Sequence, residues 1–353
     1  MLPVLQEFLA SGRNVNMLYG IPLPASQVDR LASVGRRLGR GTVSVLVDHA
    51  SQLDLVARFF DDAGFPAGVY LKVDTGYHRA GLPPSGLNKG GLVSGLMRLE
   101  EQGKACFVGL YSHSSLSYND STPKQAMSNL EGEILGCLDA LNANAALFTP
   151  GKEMTISVGA SPQVTAVENL VVAGSSSDDS ITLSEGAEAL RRTMAKVTAD
   201  TPGGFGTKLE LHAGVYSVLD VQQLSTRSRG ARLGACEDEV AVSVVAEVCS
   251  VYPERNEALV NAGVIALSRE ASAFTGFGRV VGKQAWGVVR LSQEHGILGT
   301  SEEGRRVEDD FEVGQRVELW CNHACITAAA FYVYYVADEE GIVREAWIPW
   351  KGW

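Results

Sequence analysis

The sequence has no apolar run long enough to cross a bilayer. Its longest runs, such as Ala328–Val336, fall far short of the roughly 20 residues a spanning helix needs. Basic charge is scarce: 30 lysines and arginines stand against 41 acidic residues, a formal net charge of −11. With no cluster of Lys and Arg there is no face for neutralising phosphates, so nucleic acid is excluded as a partner. Cysteines are few and scattered, at 106, 137, 236, 249, 321 and 325, and reduced thiols in a cytoplasmic setting are the expectation. The opening Met1-Leu-Pro-Val-Leu-Gln-Glu7 lacks the charged and apolar segments of a secretory signal.

What is present suits a folded protein of two domains. The 353 residues are 45% apolar and 20% charged, ample for a sizeable core. Up to about residue 230, β-branched runs alternate with helical patterns. Val15–Tyr19, Val43–Val47, Val69–Val73, Phe107–Tyr111, Thr155–Val158 and Leu209–Leu211 read as strands. Gln27–Leu38, Gln52–Phe60, Leu87–Glu101 and Lys124–Asn142 read as helices between them. This alternation predicts parallel βα units, closed as a (β/α)₈ barrel or open as a doubly wound sheet. Gly174–Ser180 reads as a loop opening a helical insertion over Ser184–Thr198. From about 238 the pattern changes to strands joined by turns without helices: Val240–Val251, Ala258–Ile265, Trp286–Leu291, Val317–Cys321, Ala329–Val336 and Ile342–Trp347. The expected division is 1–234 and 235–353.

Polar residues gather just after the strands, where both parallel architectures place their sites. Leu71-Lys-Val-Asp-Thr-Gly-Tyr-His-Arg-Ala-Gly81 puts Lys72, Asp74 and Arg79 at a strand end, with glycines that let backbone approach a ligand. Gly109–Tyr118 supplies Tyr111, His113 and Tyr118, suited to edge hydrogen bonds and stacking on a flat ring. Ser157-Val-Gly-Ala-Ser-Pro162 and Glu210-Leu-His-Ala-Gly-Val-Tyr216 offer small-residue turns for a phosphate. Cys321-Asn-His-Ala-Cys325 reads as lying between strands, so that His323 and Cys325 share one face. That spacing fits a zinc pair with open positions for substrate, and equally a core cysteine beside a capped histidine.

Taken in order, these motifs resemble the fold-type III pyridoxal-phosphate enzymes, specifically the eukaryotic D-serine dehydratase and D-threonine aldolase family. The 71–81 motif is similar to one shared with alanine racemases. Tyr111 through Tyr118, Gly159-Ala-Ser-Pro, His212 through Tyr216 with Asp220, Glu294-His-Gly296 and Asn322–Cys325 follow in family order. The resemblance implies an alanine-racemase-like (β/α)₈-type barrel followed by a C-terminal β domain carrying a zinc site. It implies a small-molecule D-amino acid substrate, a homodimer, and conversion of D-serine to pyruvate and ammonia with pyridoxal 5'-phosphate and zinc. The alternatives it carries are aldol cleavage of β-hydroxy-D-amino acids and non-catalytic binding of cofactor or metal. By resemblance, Arg79, Tyr111, His113 and Tyr118 contact the cofactor; Gly159, Ser161, Gly214 and Tyr216 hold its phosphate end; His323 and Cys325 bind zinc. A cysteine at 325 is similar to the dehydratases, whereas the aldolases usually carry aspartate.

One departure is evident. The family's Schiff-base lysine stands on the first barrel strand, and none of the nine lysines (72, 89, 104, 124, 152, 196, 208, 283 and 351) occupies that place. The catalytic lysine is therefore without a counterpart, and the expectation is an N-terminally incomplete, opened barrel of seven strands.

Overall fold

The computed structural model describes residues 2–172, 178–197, 204–230 and 233–349. The chain divides into two compact units, Met1–Ser117 with Ala126–His212 and Tyr118–Gln125 with Ala213–Trp353.

The first unit is built on a parallel sheet whose strands neighbour each other in sequence order: β1 (Met17–Pro22), β2 (Val43–Val47), β3 (Ala67–Lys72), β4 (Ala105–Tyr111), β5 (Glu153–Val158) and β6 (Gly206–Leu211). Helices α1 (Leu2–Ala10), α2 (Val28–Leu38), α3 (Gln52–Ala63), α4 (Leu92–Glu101) and α5 (Pro123–Ala143) accompany them. So do α6 (Ser161–Val167), α7 (Asn169–Val172) and α8 (Asp178–Val197). Strands β2 and β3 are buried throughout, as befits a parallel sheet covered on both faces. Helix α2 buries Val28, Leu31, Ala32, Gly35 and Leu38, a stripe at helical spacing turned toward the core. Gly109, at φ 157°, lets β4 lie close against β5: a Cβ there would sit 1.9 Å from the Thr155 carbonyl oxygen.

The sheet is open, with β1 and β6 as its edges. The incomplete alanine-racemase-like barrel is therefore observed, with six strands among the described residues rather than seven. Beyond β6 the chain turns into a 3₁₀ segment (Val215–Ser217) and helix α9 (Val221–Thr226). The insertion helix begins at Asp178, ahead of the expected Ser184. Much of the loop expected at 174–180 lies outside the described residues.

In the second unit, β7 (Val244–Tyr252), β8 (Glu257–Val260), β9 (Gly278–Val280), β10 (Trp286–Leu291), β11 (Gly296–Thr300) and β12 (Arg316–Cys321) close into a barrel in the order β10-β11-β8-β7-β12-β9. A separate hairpin joins β13 (Tyr334–Ala337) to β14 (Val343–Trp347). Trp286, Val248, Val260, Val288, Leu298 and Leu319 fill the barrel core. The expectation of turns without helices is corrected by α10 (Val264–Leu267), α11 (Val307–Asp310) and α12 (Ala324–Ala330). The strand expected over Ala329–Val336 starts only at Tyr334, because the preceding Ala-Cys-Ile-Thr-Ala-Ala-Ala follows its helical propensity. The strand expected to reach Ile265 stops at Val260, and close backbone passage at Gly263 starts α10 instead.

Candidate active site

Register assembles the first cluster. Lys72 pairs with Tyr111, Tyr111 with Ser157, and Ser157 with Glu210 across four strands. Neighbours in register share a face of the sheet, so these polar side chains form one row. Leu71, Leu110, Ile156 and Val158 alternate with them and join the hydrophobic core. Two residues beyond Glu210, the His212 ring stacks on Tyr111, with centroids 4.4 Å apart and planes within 2°. The His113 ring lies 5.6 Å from His212. Three flat rings thus stand together at the carboxyl ends of β4 and β6.

Hydrogen bonds fix the tautomers. His113 Nδ1 lies 2.7 Å from the Gly159 carbonyl oxygen, which can only accept, so Nδ1 carries the proton. The Ser157 hydroxyl donates to Glu210 at 2.7 Å and has no second proton to give. His212 Nδ1, 3.0 Å from the same hydroxyl, must donate to it. His212 Nε2 is left as a bare lone pair, buried and without a partner. Burial, followed by the Arg79 charge, pulls the His113 pKa down to about 4. Burial and His113 pull that of His212 to about 3. Both imidazoles are neutral at pH 7. Burial, with the Glu133 carboxylate next, pushes the Tyr111 hydroxyl to about 12, so it keeps its proton.

Glu133 on α5 holds the turn after β4, which carries His113, and the turn after β5. It is only 2% exposed. One carboxylate oxygen accepts from the Ser114 N–H at 2.6 Å and the Gln163 amide at 3.1 Å; the other accepts from the Gly159 N–H at 3.1 Å. Gly159 itself sits at φ 133°, where a Cβ would come 2.6 Å from the His212 carbonyl oxygen. Ser161, also buried, opens α6 just beyond. Arg79 stands on the turn after β3 with its guanidinium 5.4 Å from the Tyr77 ring centroid. Among the residues named from sequence, the first unit therefore gathers Arg79, Tyr111, His113, Gly159 and Ser161.

Tyr118, Gly214 and Tyr216 belong to the second unit. A Cβ on Gly214 would meet nothing within 4 Å, and Tyr216 is 60% exposed.

The second cluster also lies in that unit. His323 is not in an extended run between strands: β12 ends at Cys321, His323 caps α12, and Cys325 is in the first helical turn. The same-face argument from strand alternation is corrected accordingly. The backbone on either side is tied down. Asn322 donates to the carbonyls of Glu270 and Gly276 at 2.8 and 2.9 Å, and Asp220 accepts from the Ala324 N–H at 2.9 Å. His323 Nδ1 makes no hydrogen bond, its closest acidic neighbour being Glu270 at 3.7 Å. Partial burial and the Asp220 charge raise the Cys325 thiol away from the thiolate form. Among the described residues no three His, Cys, Asp or Glu side chains gather as a metal site. Among the described residues this unit thus has an imidazole whose Nδ1 makes no hydrogen bond and, two residues on, an exposed thiol.

Sequence reasoning named the His212 and Asp220 motifs but gave neither residue a role, and it passed over Glu133. The signal for Glu133 was legible: a carboxylate inside the buried stripe Leu130, Ile134, Cys137 and Leu141 of α5.

An open parallel β/α sheet with polar groups at its strand ends, followed by a closed β barrel, defines an alanine-racemase-like fold. Residues 25–172 match the family model of the alanine racemase N-terminal domain, and residues 241–337 match a serine dehydratase domain model. The chain is 34% identical to D-serine dehydratase of Schizosaccharomyces pombe, over 100% of this chain and 76% of that protein. It is 28% identical to D-serine dehydratase of Saccharomyces cerevisiae, over 96% and 75%. The solved D-threo-3-hydroxyaspartate dehydratase from Delftia superposes with a TM-score of 0.70 at 24% identity, covering 100% of this chain and 83% of that one. The chain belongs to the D-serine dehydratase family, a family of lyases. No helix among the described residues is long and apolar enough to cross a membrane.

Proposed function

We propose that this chain converts D-serine to pyruvate and ammonia as a cytoplasmic homodimer, with pyridoxal 5'-phosphate in residues 1–234 and zinc in residues 235–353. The observation that carries the cofactor reading is the buried, partnerless Nε2 of His212 beside the Tyr111 and His113 rings, an acceptor placed for a flat, proton-bearing heterocycle. Arg79, Tyr111, His113 and Tyr118 are assigned to its ring, and Gly159, Ser161, Gly214 and Tyr216 to its phosphate. His323 and Cys325 are assigned to zinc. In support, solved variants of D-threo-3-hydroxyaspartate dehydratase replace a histidine and, two positions on, a cysteine, the latter solved in a metal-free form.

Bound pyridoxal phosphate supplies a sink for the electron pair released when the α-proton leaves, and zinc supplies a Lewis acid for the β-hydroxyl. The chain's own groups do the rest. The neutral imidazoles can accept hydrogen bonds at Nε2, and their low pKa values keep them uncharged while they do so. Arg79 supplies a fixed cation for an anionic group. Glu133 keeps the turns after β4 and β5 in one arrangement while the site is loaded.

The test is pyruvate release from D-serine by the purified protein supplied with both cofactors. Pyruvate that depends on each of them supports the reading; none under loaded conditions overturns it.

A further inference from the structure

Glu210 has no role in the assignments above. It stands on β6 beside Ser157 in register, exposed, and reaches His212 through that serine. Ser157 is 1% exposed, and its hydroxyl lies between two acceptors, the Glu210 carboxylate at 2.7 Å and His212 Nδ1 at 3.0 Å. A hydroxyl has a single proton, so the three groups have two arrangements. Given to Glu210, the proton leaves Ser157 Oγ free to accept from His212 Nδ1–H, and both contacts are hydrogen bonds. Given to His212, it turns the hydroxyl's lone pairs toward a carboxylate and moves the imidazole proton to Nε2. The first arrangement makes one hydrogen bond more, and that bond has a charged acceptor, the stronger kind. His113 stands outside this control, because its Nδ1 donates to the Gly159 backbone carbonyl.

We propose that Glu210 is a positioning residue that sets the hydrogen-bond polarity of the site: through Ser157 it holds His212 in the Nδ1–H tautomer, so that Nε2 presents a lone pair beside Tyr111. The ligand preference this creates rests on the cofactor reading above. A lone pair at that place selects a ring system that brings its own N–H or O–H over one that offers acceptors alone. The tautomer itself is a property of the cofactor-free chain. Replacing an exposed side chain removes little packing, so the effect of Glu210 is separable from folding.

The experiment labels the full cofactor-free chain with an NMR-active nitrogen isotope in the rings of its six histidines. Long-range proton–nitrogen correlation spectra show which ring nitrogen of each carries the proton, and His212→Phe and His113→Phe assign the two signals. Wild-type His212 is expected almost wholly as the Nδ1–H form. Glu210→Met, similar in length but without an acceptor, is expected to raise the Nε2–H population of His212 about tenfold and leave His113 unchanged. Ser157→Ala is expected to do the same, and Glu210→Met should add nothing to it, because the serine is the link. Glu210→Gln keeps a carbonyl acceptor and is expected to restore most of the wild-type tautomer. Equilibrium dialysis with pyridoxamine 5'-phosphate reads the ligand preference, which Glu210→Met is expected to weaken by roughly tenfold. An unchanged His212 tautomer in Glu210→Met overturns the proposal. A wild-type His212 in the Nε2–H form overturns it even when no variant folds. The expected tautomer change without analogue binding by the wild type leaves the role of Glu210 standing and overturns the cofactor reading.

Discussion

The two candidate clusters are held in opposite ways. In the parallel-sheet unit the functional side chains themselves are fixed: His113 and His212 each spend one ring nitrogen on a hydrogen bond, and Tyr111 stacks on His212. In the β-barrel unit only the backbone is fixed, through Asn322 and Asp220, while the His323 ring is 25% exposed and its Nδ1 has no hydrogen bond. Packing and internal hydrogen bonds preorganise the first cluster. The second is an anchored turn whose side chains await a partner. Deep burial costs a polar group unless it is bonded inside the protein, so the buried cluster is built as a network. Even so, each cluster leaves one buried ring nitrogen without a hydrogen bond, His212 Nε2 in the first and His323 Nδ1 in the second.

The contrast breaks most visibly at the metal. His323→Ala in the purified protein is expected to cut bound zinc from about one per chain to near zero, with little change in folding stability. Metal analysis and thermal unfolding read the two effects. A large loss of stability together with full zinc content would reverse the comparison. Glu133→Ala should do the opposite. It leaves the Ser114 and Gly159 N–H groups buried without an acceptor, at a cost of about 3 kcal/mol, measurable by denaturant unfolding. A cost below about 1 kcal/mol, the scale of a surface contact, would show that the carboxylate does not hold the turns.

The smallest effect sharpens the picture through pH. His113 and His212 have folded pKa values of about 4 and about 3, below the ordinary 6.5. Below 6.5 the unfolded chain binds more protons than the folded one, so stability is complete above that pH and is lost as the solution is acidified toward 4. His212→Phe keeps a ring against Tyr111 but removes this titration. The stability lost between pH 6.5 and 5 should then shrink by about 2 kcal/mol. An unchanged acid limb would mean that His212 is not held neutral.

The alternation of strands and helices, the turn motifs and the His323–Cys325 spacing were all legible in the order of residues, because side-chain period and turn chemistry are local. The short helices of the barrel unit were not. Val264–Leu267 carries β-compatible residues and its state was settled by close backbone passage at Gly263, whereas Ala324–Ala330 is alanine-rich and bonds from Asp220 and Asn322 fix where it starts. Glu133 was half legible, a carboxylate in an apolar stripe whose three partners, two on turns and one on α6, lie 19 to 30 residues away in sequence.

Sequence by itself determined the layered β/α unit, the family and the list of polar residues at the strand ends. Tertiary structure alone decided which of them meet. Strand register lined up Lys72, Tyr111, Ser157 and Glu210, and a single serine proton, already given to Glu210, left His212 with a bare nitrogen. Such pairings depend on contacts between strands tens of residues apart, which no local pattern encodes.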